Sequence, residues 1–261
     1  MSTPHLTPGK LLGSDVLPPE WAAAQVAFVC FTPFPNGFRP YVKQIAQERY
    51  FLHSPNEEVR LCQYQDIPFI VLSEVYGFAV GATTVEELVH RGIRYIIAVG
   101  YAGAFNDAPL GRPFIATETI SDLPIAAHYG IPEFVHCKPS NELLTLLISC
   151  IKRDESDWGQ FTVWTGNSLY RETTQVVQQM KDRGCDVVNM DTLSIYAATP
   201  VSARDAGREV DYIYVGTVTD TMADESADWN SNLIEAVKRD AAHPHDKLVK
   251  FMVETVLSRL K

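Results

Sequence analysis

A chain of 261 residues, 46% of them hydrophobic and 21% charged, is long enough to bury a large core as one generous α/β domain. Its formal charge of -10 repels a phosphate backbone or an anionic membrane surface at long range, which argues against nucleic acid and membrane as partners. Its five cysteines are an odd number without a CxxC pair, and they read as reduced thiols in a cytoplasm, with neither a disulfide framework nor a metal site. The opening "MSTPHLTPGK" carries no apolar stretch after its first charges, and no apolar run approaches the roughly 18 residues of a bilayer span, so a soluble cytoplasmic protein is expected.

Along the chain, apolar runs of strand length alternate with segments of helical period, without a low-complexity linker or an internal repeat. That alternation predicts parallel strands joined by crossover helices. One domain over residues 1–261 is expected, with 1–22 as an N-terminal arm. The aromatics of "FVCFTPF", with Tyr50 and Phe51, are expected to cover a subunit contact. "PFIVLSEVYG", residues 68–77, predicts a strand closed by a glycine. A helix is expected to start at Thr83 with Glu86, or Thr84 with Glu87, each pair fitting a capping box, and to stop in a left-handed turn at Gly92. "IRYIIAV" then predicts a strand that delivers "GYAG", residues 100–103, as a loop at the carboxyl edge of the sheet, where ligands settle in open α/β folds. Further on, "CDVVNMDTLSIYAAT" passes from a short strand at 186–188 into a helix, with Met190 and Asp191 at the junction. A carboxylate there caps its own helix and meets its positive end. "YIYVGTVTDTMADES" predicts a strand over 212–218 that delivers Thr219 and Asp220 to its carboxyl end before a polar loop; an Asx-turn accounts equally for that aspartate.

Taken together, these segments resemble the nucleoside phosphorylase and nucleosidase superfamily, most closely its purine nucleoside phosphorylase and uridine phosphorylase branch, over nearly the whole chain. The resemblance is carried by "YGFAVGATTVEELVHRGIRYIIAVGYAGAF", "LGRPFIATETISD" with "HY", "VVNMDTLSIYA", "TVTD" and "TPHL". It implies a single-domain, three-layer α/β/α sandwich around a mixed, largely parallel sheet, with Gly100, Asp191 and Asp220 converging at one edge. Cleaving an N-glycosidic bond drives the ribose toward an oxocarbenium ion, so such an enzyme must fix the sugar, neutralise the departing base and present a nucleophile. By resemblance, Met190 packs on the ribose and Asp191 accepts its hydroxyls, where the family usually has glutamate. Asn189, at a second usual glutamate, joins Leu169 and Tyr170 at the base, with Leu169 in place of a stacking phenylalanine. Asp220 falls where the purine branch keeps the aspartic acid that protonates the base. His5, from "TPHL", would reach the ribose bound in an adjacent protomer, which implies a homo-oligomer, from dimer to hexamer, sharing its active site. No cofactor is implied.

The nucleophile side departs from the family. Phosphorolytic members hold phosphate with arginine forks. Here the strand arginine falls at Ala98, the loop hydroxyl at Tyr101, and the arginine donated by a neighbouring subunit at Ser54. The phosphate-loop glycine fits Gly37, yet its arginine partner falls at Tyr41, with Arg39 displaced by two. "VAFVCFTPF" also lacks the glutamate that orients water in methylthioadenosine nucleosidases. The expectation is cleavage or transfer at the N-glycosidic bond of a purine-like nucleoside without phosphate, in a pocket walled by Tyr101 and Tyr41. Two alternatives are phosphorolysis, with Arg39 swinging in to the anion, and a non-catalytic nucleoside-binding protein.

Overall fold

The computed structural model describes residues 4–13, 17–105, 108–221, 230–231 and 244–260. Two short helices, α1 (Pro8–Leu12) and α2 (Pro19–Ala22), lead into strand β1 (Val26–Cys30). A 3-10 segment, Asn36–Tyr41, precedes β2 (Val42–Ile45), β3 (Val59–Tyr64) and β4 (Ile67–Leu72). Helix α3 (Gly77–His90), β5 (Tyr95–Ala104), β6 (Pro113–Ile120), α4 (Asn141–Asp154), β7 (Gly159–Thr165) and α5 (Thr174–Asp182) follow. The chain then forms β8 (Val187–Asn189), α6 (Thr192–Ala206), β9 (Asp211–Thr221), β10 (Asn230–Ser231) and α7 (Pro244–Phe251), which runs on through a π-turn at Met252–Val256.

All the strands join one mixed sheet. Its centre, β4-β1-β5-β9, is parallel; antiparallel pairing is found at β2, β3 and β10 and where β6 and β8 meet β9 and β5. Because β5 pairs with both β8 and β9, and β6 bridges β9 to β7, the strands β5, β9, β6, β7 and β8 close on themselves in a ring. The central strands are buried on both faces, as continuous apolar runs require. In β1, Ala27 and Val29 pack toward α3 and α6, whereas Val26, Phe28 and Cys30 pack toward α4 and α7. This is the expected three-layer arrangement. All five cysteines are buried, unpaired thiols, and no helix among the described residues is long and apolar enough to cross a membrane.

Three local expectations are corrected. Helix α3 starts at Gly77, six residues before the first threonine of the capping boxes. Thr83 lies inside the helix with its hydroxyl donating to the Ala79 carbonyl, because the helix takes its cap from elsewhere in the chain. "GYAG" is strand, not loop: β5 runs through it, since pairing with β9 and β8 continues as far as Ala104. Finally, Phe28, Phe31 and Phe51 are core residues, at 0%, 4% and 1% exposure, which leaves only half-buried Phe34 and Tyr50 of the aromatics assigned to a subunit contact.

Candidate functional site

At its carboxyl end β5 forks. Gly103 pairs with Val188 on one side and with Asp220 on the other, so the residues following β8 and the end of β9 reach one crevice at the sheet edge. A Cβ at Gly103 would lie 2.6 Å from Asp220 Oδ2, which is why a glycine stands there. The Thr219 hydroxyl donates to Asp220 Oδ1 at 2.8 Å. Asp191 caps a helix, but not its own. Its Oδ1 accepts the Gly77 amide at 3.1 Å, and so closes the amino end of α3. The first turn of α6 is served by Asn189, whose Oδ1 accepts the amides of Asp191 and Thr192 and whose Nδ2 donates to Thr192 Oγ1. Burial pushes Asp191 up to about 7, against the lowering effect of the Gly77 bond. A protonated carboxyl and an ionised carboxylate are therefore both accessible to it near neutral pH.

Asp191, just after β8, and Asp220, at the end of β9, thus come from strands that both pair with Gly103; Gly100 lies three residues before that fork, opposite Gly216, and half-buried Met190 stands between β8 and α6. Tyr101 stands on the opposite face of β5, and its ring packs on His245 with centroids 4.6 Å apart. Burial, followed by the nearby Asp246 carboxylate, raises its phenol. His245 is 2% exposed and its Nδ1 lies 3.1 Å from Thr217 Oγ1. Next to it, Asp246 Oδ1 accepts the Gly37 amide at 2.9 Å. A Cβ on Gly37 would come within 2.6 Å of the Asp246 carbonyl oxygen. The amino end of α7 therefore fills the place beside Gly37.

The other nucleophile-side residues stay apart. Arg39 is exposed, its Nε donating to Asn36 Oδ1 at 2.5 Å. Tyr41 lies in the core below α7, packs on Tyr64 and Phe69, and donates to Glu254 Oε1 at 2.6 Å; Tyr41 does not wall a pocket with Tyr101. Ala98 is buried in β5. Leu169 and Tyr170 sit in a 3-10 turn after β7, at 44% and 90% exposure. His5 belongs to an arm that packs near His90, where Gly9 approaches the imidazole. That is the far end of α3 from Gly77 and Asp191, so within this chain His5 is remote from the crevice. A cleft of about 590 Å³ lies there, between the arm, α3 and α6. The "MADES" segment after Thr221 falls outside the described residues.

Two acidic groups escaped the sequence. Glu172, in the polar stretch "NSLYRETT", is pushed up to about 7 by burial and then by the charge of Asp220, and nothing in its neighbourhood marks it. Asp246 carries a faint signal, an acid in the first turn of an amphipathic helix. Among the described residues no cluster of histidine, cysteine, aspartate or glutamate is fit to hold a metal ion.

The model of the phosphorylase superfamily matches residues 25–254. The uncharacterized protein R802 of Acanthamoeba polyphaga mimivirus is 35% identical over 247 residues, 92% of each chain. Among solved structures, a 5'-methylthioadenosine/S-adenosyl homocysteine nucleosidase from Campylobacter jejuni superposes with a TM-score of 0.67 at 15% identity, over 90% of this chain and 99% of its own. A uridine phosphorylase from Vibrio fischeri gives 0.66 at 18%, over 91% and 93%. With a family match over most of its length, and a strand fork that brings Asp191 and Asp220 to one crevice, the chain belongs to the phosphorylase superfamily.

Proposed function

We propose that this protein is an enzyme that cleaves the N-glycosidic bond of a purine-like nucleoside, with water or another neutral acceptor in place of phosphate. One observation carries the second half of that statement: the Gly37 amide, assigned by resemblance to the phosphate loop, is already bonded to the chain's own Asp246 carboxylate. An incoming phosphate would meet a carboxylate instead of a cation, while Arg39 faces outward and Ala98 offers no charge. Desolvating a dianion there without paired cations is costly. The structural neighbours include both a nucleosidase and a phosphorylase, so the fold supports the reaction class and the nucleophile rests on this local chemistry.

In the hydrolytic form, the water oxygen bonds to the anomeric carbon as the carbon–nitrogen bond breaks. The departing base takes a proton from Asp220, or from Glu172 through it; the water's second proton goes to solvent, and the acid takes a proton back from solvent. Asp191 and Met190 hold the ribose. Glu172, pushed up to about 7 by burial and then by the charge of Asp220, is the group of the two that suits holding a proton near neutral pH. The test is to incubate the protein with a nucleoside panel, with and without phosphate, and to identify the sugar product. Free ribose at a phosphate-independent rate is expected. Ribose 1-phosphate formed with saturation by phosphate, and lost in Arg39→Ala, would instead establish phosphorolysis. A nucleoside bound but never cleaved would establish a binding protein.

A further inference from the structure

Gly100 and Gly216 are register partners on adjacent central strands, so the sheet is bare over two strands on the face toward α3 and α6. Tyr214 uses that space. Its ring packs between Phe31, at 6.0 Å between centroids, and Phe114, at 6.4 Å, and its hydroxyl occupies the position a Cβ on Gly100 would take. The residue is fully buried, and its phenolic proton has no acceptor within hydrogen-bond distance among the described residues. Asn189, whose Oδ1 accepts the amides of Asp191 and Thr192 and whose Nδ2 donates to the Thr192 hydroxyl, approaches the phenolic oxygen with the donor Nδ2 and so favours the ionised phenol, but its Nδ2 cannot accept the phenol's own proton. Phe31 also touches the space at Gly81, where Ser194 Oγ arrives from α6, and that hydroxyl donates to the Asp191 carbonyl. The orphan phenol, the first turns of α3 and α6 and Asp191 therefore surround one point. Asp191 is near enough that its charge raises the phenol further, after burial.

An unsatisfied buried hydroxyl weakens a fold unless something accepts from it, and a group that lowers stability yet persists is characteristic of a functional site. We propose that Tyr214 is a further substrate-binding residue of this site, donating its phenolic proton to a sugar hydroxyl that in turn donates to Asp191. A sugar hydroxyl is the complement this pair requires, since it gives one proton and accepts another, while a carboxylate with one oxygen on Gly77 retains acceptor capacity. The role of Gly100 follows: without a side chain it admits the phenol to the crevice.

This assignment rests on the nucleoside-cleaving reading, and one experiment separates the two. Wild type and Tyr214→Phe are compared on a ribonucleoside and on its 2'-deoxy and 3'-deoxy counterparts, with kcat/KM and the melting temperature read for each protein. The expected result is a loss of roughly 10- to 100-fold in kcat/KM on the ribonucleoside, no loss on one of the deoxy counterparts, and a melting temperature equal to or above wild type. Equal turnover by both proteins, or an equal loss on all three substrates, overturns the assignment of Tyr214 and leaves the function standing. No turnover by wild type overturns the function and the ligand assigned here with it. If the variant fails to fold, a crystal of the wild type with the ribonucleoside decides: a sugar oxygen within hydrogen-bond distance of the Tyr214 hydroxyl supports the assignment, and its absence overturns it.

Discussion

Asp191 serves two ends that pull in opposite directions. Its carboxyl closes the amino terminus of α3, yet burial holds its proton affinity far above that of an unfolded aspartate. The folded state therefore binds a proton that the unfolded state has already released between about pH 4 and about pH 7, and stability falls as pH rises through that window. Asp191→Asn removes this term, so its melting temperature is expected to fall less than that of the wild type from pH 4.5 to pH 8, as read by thermal denaturation at several pH values. Parallel curves would place Asp191 in a solvated setting. Asp220→Asn is expected to slow cleavage of purine-like nucleosides by about 100-fold or more, the usual scale for a positioned general acid, with an unchanged melting temperature. Unchanged turnover would leave Asp220 as a turn former. Glu172→Gln is expected to shift the alkaline limb of the rate profile, because it removes the neighbouring carboxyl that titrates near 7; an unmoved profile would separate it from the chemistry.

The segments that meet the crevice differ in how far local sequence could announce them. β9 and α6 were legible because a continuous apolar run and a polar break fall together at Asp220, and a helical period follows Asp191. The start of α3 was not, because its cap is a carboxylate 114 positions away and the glycine at its first position has φ +76°; the threonines that mimic capping boxes lie mid-helix. Nor was the contact between α7 and the Gly37 segment, which spans 209 positions. That contact gives its own prediction. Gly37→Ala places a methyl group 2.6 Å from the Asp246 carbonyl, so the amino end of α7 must move; a destabilisation of about 1–3 kcal/mol is expected, read by chemical denaturation. A variant as stable as wild type would show that α7 yields there without strain.

The fold as a whole was readable from strand–helix alternation, and the ring was not, because the pairing of β5 with both β8 and β9 depends on how a twisted sheet curls and leaves no local mark. Oligomeric assembly stands on His5 and on half-buried Phe34 and Tyr50, since the other aromatics set against a neighbour are core. Sedimentation or light scattering at micromolar concentration is expected to show at least a dimer, and a stable monomer would remove His5 from the active site. The contact between α7 and Gly37 also has a bearing on the order of synthesis. The Gly37 amide leaves the ribosome 209 residues ahead of Asp246, which accepts from it, and Tyr101 leaves well ahead of His245, whose ring packs on it. The contact that covers the Gly37 amide is thus among the last to be completed as the chain is made, because its two sides lie 209 positions apart.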